Sequence, residues 1–152
     1  MWNWKYMYED DDLVCYCDIE HIVDLQEDES GYYHSIECYQ SLSSKIAVWT
    51  TFFIKNKEEI GLYCKERERT GMPTKGYRNF NHVLCLIEID LEKQSYRATA
   101  ALDYDKKGNE LGASTVVNDR GKSFLKNISG DWSPIQSKKT HKSISAILKF
   151  LQ

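Results

Sequence analysis

Residues 71–109 hold the feature that most constrains the fold, a pair of hydrophobic runs with a period of two. The apolar positions are Val83, Cys85, Ile87 and Ile89 in the first run and Tyr96, Ala98, Ala100, Leu102 and Tyr104 in the second. Side chains of a β-strand point alternately to opposite faces, so this period predicts two strands. The short polar link at 91–95 joins them into a hairpin.

Three more strands are predicted before residue 55. Trp2, Trp4, Tyr6 and Tyr8 point one way from a first strand, and Leu13, Cys15 and Cys17 line one face of a second. Residues 46–54 form a nearly continuous run of β-branched and aromatic residues, which is typical of a central strand covered on both faces. Residues 18–23 indicate a short helical turn, and the polar stretch 26–44 shows no regular pattern.

Two helices complete the pattern. Asn56 is placed to cap a helix that runs through Thr70, where Gly71 supplies a left-handed stop. A C-terminal helix is predicted by an apolar stripe of Ile144, Ile147, Leu148 and Leu151. With a sixth strand at 111–117, the order of elements predicts an α+β fold. We expect an antiparallel β-sheet of about six strands, with the C-terminal helix packed on it and one further helix between strands.

Length and charge narrow the class of protein. At 152 residues the chain suits one domain with a single core, so we assign residues 1–152 to one domain. Its 20 basic and 23 acidic side chains give a net charge of −3, which predicts no nucleic-acid partner. The chain has no run of about 18 apolar residues, so no transmembrane segment is expected. The oligomeric state is left open by the sequence.

Cysteine and histidine positions do not predict a metal or catalytic site. The five cysteines are an odd number, and we expect reduced thiols without an intramolecular disulfide. A zinc site would use Cys15, Cys17, His21 and Cys38, but a Cys-x-Cys pair on a strand does not match zinc-ligand spacing. Asp103, Asp105 and Gly108 resemble the start of a calcium loop, whose later ligand positions hold Lys107 and Ser114, so a hairpin turn is expected. We therefore predict no catalytic residue, metal or cofactor.

A mixed basic and aromatic surface is the predicted partner-binding site. It comprises Arg67, Arg69, Lys75, Tyr77 and Arg78, with Phe80 beside them. Arginine and tyrosine together are favoured at protein interfaces. The alternative is that Tyr77 and Phe80 anchor this loop to the core while the charges stay solvated.

Several segments, taken in order, resemble the surface-adhesin protein E family of bacterial envelope proteins. They are Trp4-Lys5-Tyr6, residues 70–77, Leu86-Ile87-Glu88-Ile89-Asp90, Asp103-Tyr104-Asp105 with Gly108, and Trp132 before the terminal helix. The resemblance implies a curved sheet and a non-catalytic binding module that acts in adhesion or envelope association. It also implies a host-matrix or envelope protein as partner. The compartment would be the envelope or the exterior if a signal was removed, and the cytoplasm if Met1 is the native start.

The same resemblance makes a prediction about packing. Family members commonly join a cysteine after the Glu-Ile-Asp triplet to another near the end of the last helix. Leu91 occupies the first place here, and Phe150 and Leu151 lie near the second. We expect a hydrophobic contact between Leu91 and the C-terminal helix in place of a disulfide.

Two other functions remain open. The first is a small-ligand-binding protein that uses the concave face of the sheet, with a pocket lined by Trp49, Tyr96 or Tyr104. The second is a thiol-dependent enzyme, which would need a cysteine beside a histidine.

Overall fold

The computed structural model describes residues 2–25, 33–34, 44–115, 130–138 and 140–152. The strands are β1 (Trp4–Glu9), β2 (Leu13–Asp18), β3 (Ile22–Asp24), β4 (Tyr33–His34), β5 (Lys45–Ile54), β6 (Phe80–Asp90), β7 (Ser95–Asp105), β8 (Glu110–Ala113) and β9 (Ser133–Pro134). The helices are α1 (Lys57–Arg69) and α2 (Lys142–Leu151), and a short 3₁₀ turn spans Tyr77–Asn79.

All strand pairs in the described residues are antiparallel. The main sheet has the order β1-β2-β5-β6-β7-β8, and of the small strands β3 pairs with β5, β4 with β3, and β9 with β7. The predicted hairpin is confirmed as β6 and β7, which pair from Phe80 with Asp105 to Asp90 with Ser95. The α+β fold, with one helix between strands and one at the C-terminus, is also confirmed.

The inner face of the sheet carries the hydrophobic core. The apolar positions of β2, β5 and β6 that point inward are buried against residues of both helices, including Tyr63 of α1 and Ile144, Ile147, Leu148 and Leu151 of α2. The outer face carries the alternate positions. Its residues on the main strands include Trp4, Tyr6, Val14, Tyr16, Trp49, Thr51, Phe53, His82, Leu84, Leu86, Leu102 and Tyr104.

Both predicted helices form, and their ends follow from local chemistry. The side chain of Asn56 accepts a hydrogen bond from the Glu58 amide and so caps α1 as predicted. Gly71, at φ 76°, ends that helix in the left-handed conformation, and the Met72 amide donates to the Arg67 carbonyl across it. At α2 the cap is His141, whose ring accepts a hydrogen bond from the Ser143 amide.

Three predictions from the N-terminal half need correction. Residues 18–23 do not form a helical turn, because Ile22 and Val23 enter strand β3, which pairs with β4 and β5. Tyr8 does not share a face with Tyr6, because a β-bulge between them places Tyr8 opposite the buried Cys15. The central strand β5 is not fully covered on its outer face, where Trp49 and Phe53 are only half-buried.

The sixth predicted strand is shorter than expected. It forms as β8 over Glu110–Ala113, and residues 116–117 of the predicted run lie outside the described residues. The polar stretch 26–44 also lies mostly outside them. Leu91 is half-buried and packs against the core cluster, to which α2 contributes. Its direct contact with α2 stays a prediction.

Candidate functional site

The predicted partner-binding surface is wrong at two of its five residues. Arg67 is 1% exposed and Tyr77 is 0% exposed, and the neighbouring Phe80 is buried as well. The alternative, in which Tyr77 and Phe80 anchor the loop to the core, is therefore the correct one for these two aromatic residues. Arg69, Lys75 and Arg78 are exposed, and their role in binding a partner stays a prediction.

Arg67 and Tyr77 are buried because they belong to a polar network around Asp103 on the inner face. The hydroxyls of Tyr63 and Tyr77 both donate to Asp103 Oδ2, at 2.7 and 2.8 Å. Arg67 Nη1 lies 3.6 Å from the same oxygen, and its guanidinium sits 4.1 Å from the centre of the Tyr77 ring. The two remaining bonds of Arg67 go to the carbonyls of Pro73 and Ala113. The network therefore ties α1 and its following loop to β7 and β8.

The pKa values in this network are shifted by burial and by the contacts among its members. Burial raises the pKa of Asp103, while the hydrogen bonds from Tyr63 and Tyr77 and the charge of Arg67 pull it down. Burial and the nearby carboxylate also raise the pKa of Tyr77. Because these side chains are inaccessible to solvent, we assign the network to holding the fold and not to binding a partner.

A different cluster, on the outer face, is open to solvent. One row across the strands carries Glu9, Val14, Phe53, His82, Tyr104 and Glu110, each paired with the next. Within it the Phe53 and His82 rings stack with centroids 4.8 Å apart, and the His82 and Tyr104 rings stack at 5.2 Å and 5°. We call Phe53, His82 and Tyr104 the aromatic ladder.

A second aromatic pair faces the ladder from the N-terminal strand. Trp2 stacks on Trp4 with centroids 5.2 Å apart and lies perpendicular to the Trp49 ring, with centroids 6.2 Å apart. The buried carboxylate of Asp18 positions this segment, because its Oδ1 accepts a hydrogen bond from the Asn3 amide at 3.0 Å. Asp18 Oδ2 lies 2.6 Å from Nδ1 of His21, whose ring in turn lies beside Trp2. The indoles are therefore held over the outer face, although they are 47% and 37% exposed.

Between these two aromatic walls lies a groove of about 290 Å³. Its lining includes Trp2, Trp4, Thr51, Phe53, His82 and Tyr104. A second groove of about 300 Å³ lies beside it, lined by Trp4, Val14, Tyr16 and Phe53. The two share Trp4 and Phe53, so the Trp4 indole borders both. Grooves of this size with mostly apolar walls are typical of sites for small molecules.

The polar groups of the first groove are few. Thr51 is 3% exposed, and its hydroxyl has no hydrogen-bond partner among the residues that the structure describes. His82 Nδ1 lies 3.0 Å from the side-chain oxygen of Asn81. Burial lowers the pKa of His82, against the opposing charge of Asp105. The imidazole is therefore neutral at pH 7, and the groove offers hydrogen bonds without a fixed charge at its base.

The sequence identified only part of this groove. Of the three residues predicted to line a pocket, only Tyr104 lines this groove. Trp49 contacts Trp2, which lines the groove, and Tyr96 is buried on the opposite face of the sheet. Trp2 and Trp4, which the sequence places on one face of a first strand, are exposed there. One sequence signal could have indicated an apolar outer face. It is the second set of alternate positions in β6, where Leu84 and Leu86 accompany His82, so that both faces of this strand are apolar.

The other candidate sites are the cysteines and the possible metal ligands. Cys15, Cys17, Cys64 and Cys85 are free thiols, and Cys38 lies outside the described residues, so the absence of any disulfide stays a prediction. Burial raises the pKa of Cys17 and of Cys85 to about 12.

Within the described ranges no group of three or more potential ligand side chains is arranged to hold a metal ion. The described helices include none long and apolar enough to span a membrane.

The fold and the groove define an α+β protein with an aromatic-lined open face on an antiparallel sheet. In comparisons with known proteins, no family model, no curated protein and no solved structure matches this chain.

Proposed function

We propose that this chain is a non-catalytic binding module that holds a small, largely apolar ligand in the groove of the outer face. The observation that carries the proposal is the pair of aromatic walls, with Trp2 and Trp4 on one side and the aromatic ladder on the other. Aromatic surface of this kind gains free energy when a ligand removes it from water, by roughly 25 cal/mol per Å². A groove of about 290 Å³ suits a ligand of one or two rings.

The construction of the walls supports the same proposal. The ladder stands on three neighbouring strands of a sheet that is buried on its inner face, so its rings are positioned before a ligand arrives. Asp18 fixes the backbone that carries the indoles. Preorganisation of the ladder reduces the entropic cost of binding.

The resemblance to the protein E family favours the same general role of a binding module. It adds adhesion or envelope association, with a host-matrix or envelope protein as partner, as a proposed setting. That setting rests on the resemblance, whereas the groove rests on the geometry of the outer face.

The four tryptophans provide a direct test by NMR. In a ¹⁵N-labelled sample each indole N–H gives its own signal, and uncharged fragments of one or two rings are added one at a time. We expect the signals of Trp2 and Trp4 to move, while that of Trp132 stays in place because Trp132 packs on Arg97 outside the groove.

Matched variants complete the test. Trp4→Ala should abolish the response at Trp2, and Trp132→Ala should leave it intact, because both indoles are partly exposed but only Trp4 lines the groove. Shifts that are confined to Trp132, or that survive Trp4→Ala unchanged, would refute the proposed site.

A further inference from the structure

We infer that the ligand of this groove carries a planar aromatic ring with one hydrogen-bonding group directed at Thr51. The inference rests on the proposed function and names the ligand chemistry of that site. Three features support it: the orientation of the ladder rings, the unpaired hydroxyl at the base of the groove and the exposed indoles above it.

The first feature is the orientation of the ladder rings, which favours a ligand with an aromatic ring. Phe53, His82 and Tyr104 stack on neighbouring strands, so their faces are turned toward one another and their edges stand up from the sheet. The edge of an aromatic ring is electropositive and its face is electronegative. A cation needs a free ring face and is therefore poorly served by the ladder. The face of an aromatic ligand, by contrast, meets the ring edges favourably in an edge-to-face contact.

The second feature is the Thr51 hydroxyl, which favours a ligand with a hydrogen-bonding group. Its hydroxyl is buried in the central strand and unpaired among the described residues, although it belongs to the lining of the groove. An unpaired buried hydroxyl costs free energy that a correctly placed partner recovers. A ligand with a single hydroxyl beside its ring can supply that partner.

Access to this hydroxyl involves the tryptophan wall. The Thr51 oxygen is closed to water, so a ligand group reaches it only when part of the lining moves outward. Trp2 and Trp4 are the most exposed aromatic residues of that lining, at 47% and 37%. We expect ligand entry to shift this stacked pair, which makes indole fluorescence a direct signal of binding.

Three probes of similar size separate these contributions. The first is 2-naphthol, which has both the aromatic rings and the hydroxyl. The second, 2-methylnaphthalene, lacks the hydroxyl, and the third, decahydro-2-naphthol, keeps the hydroxyl on saturated rings. Titration calorimetry with the full chain should rank 2-naphthol first, with each of the other two weaker by about tenfold, as expected for the loss of one hydrogen bond or of the ring contacts.

A variant of Thr51 tests the hydrogen bond. Thr51→Val keeps the shape of the side chain and removes a hydroxyl that is unpaired without ligand, so the fold should be retained. It should lower the affinity for 2-naphthol by about tenfold and leave that for 2-methylnaphthalene unchanged. Thr99→Val, on the exposed part of β7, is the matched control and should change neither affinity.

The outcomes distinguish this inference from the function on which it rests. Equal affinity for all three probes, with loss of binding in Trp4→Ala, would overturn the aromatic ligand and leave the groove as a binding site. A naphthol preference that persists in Thr51→Val would overturn the role of Thr51. Failure of every probe to bind at millimolar concentration, with no change in indole fluorescence, would overturn both this inference and the proposed function.

Discussion

On the inner face of the sheet, Tyr63 and Tyr77 surround Asp103 and Arg67 in a network from which water is excluded. On the outer face, Phe53, His82 and Tyr104 form a ladder whose rings contact one another and whose edges stay open. Both clusters use aromatic side chains, and they differ in how far they are open to solvent. The inner tyrosines donate to Oδ2 of the buried Asp103, whose Oδ1 has no hydrogen-bond partner among the described residues, and the outer groove likewise holds an unpaired Thr51 hydroxyl. The inner cluster is closed to solvent and stabilises the fold, whereas the outer one has exposed aromatic walls that a ligand can cover.

The largest expected effect is on stability, from a change in the inner network. Arg67→Ala removes one partner of a buried ion pair and leaves Asp103 without its nearest cation. We expect a loss of about 3–5 kcal/mol in the free energy of unfolding, measured by urea denaturation. The control is Arg69→Ala, two residues along the helix, whose solvent-exposed bond to Glu66 should contribute little to stability. Equal losses in the two variants would contradict the assignment of a structural role to the network.

A smaller effect on stability is expected when the pH falls, and two histidines contribute to it with the opposite sign from Asp103. Burial lowers the pKa of His82 and of His141 from their ordinary value of 6.5, although Asp10 and Asp12 partly oppose this at His141. The unfolded chain then binds more protons below pH 6.5, so these histidines reduce stability as the pH falls through that value. Asp103 acts in the opposite direction, because a raised pKa lets the folded state gain protons first and stabilises it as the pH falls toward 3.8.

Histidine variants isolate the first of these contributions. His141→Asn keeps a side chain that caps helices well but does not titrate, and His82→Phe keeps a ring in the ladder. The double variant should lose less stability than the unchanged protein between pH 7 and pH 5 in urea melts. An identical pH profile would show that these two imidazoles do not control the acid response.

The groove should tolerate truncation with little loss of stability, in contrast with the inner network. Trp4 is 37% exposed and packs mainly on Trp2, so Trp4→Ala should cost no more than about 1 kcal/mol while eliminating binding of the naphthol probe. Calorimetry and thermal melts on the same sample measure both quantities. A loss as large as that in Arg67→Ala would mean that the indole pair is part of the core.

The smallest expected change in stability concerns the exposed cations. Reversal of Arg69, Lys75 and Arg78 to glutamate should leave the melting temperature nearly unchanged, because solvated charges contribute little to folding. If these residues bind an acidic or matrix protein, as predicted from the sequence, the reversal should weaken a salt-sensitive interaction measured by surface plasmon resonance. Unaltered binding with an intact fold would remove the cations from the site.

Much of the fold could be predicted because its signals are local. The hairpin of β6 and β7 follows from a period of two, and α1 follows from Asn56 and Gly71 at its ends. The facing of Tyr8 could not be predicted, since a bulge of one residue reverses every later side chain and has no required sequence. Burial of Arg67 had a visible signal, because it continues the helical stripe through Tyr63 and Cys64 that faces the core.

The candidate site was harder to predict, for a reason that lies in the sheet. Both faces of β5 and β6 are largely apolar, and the sequence does not state which face the helices cover. The ladder also depends on the register between β5 and the hairpin of β6 and β7, which α1 and its following loop separate along the chain, and this register places Phe53 beside His82. Such a constellation is a property of pairing and not of spacing.

The bulge at Met7 also affects how this protein meets copies of itself. β1 is the outermost strand of the main sheet, and among the described residues it pairs only with β2. An outermost strand with a regular ladder of unpaired amides is a template on which a second molecule can add and start aggregation. The extra residue interrupts that ladder, and Tyr8 is drawn inward against His141. We therefore expect the irregularity to disfavour polymerisation through this strand.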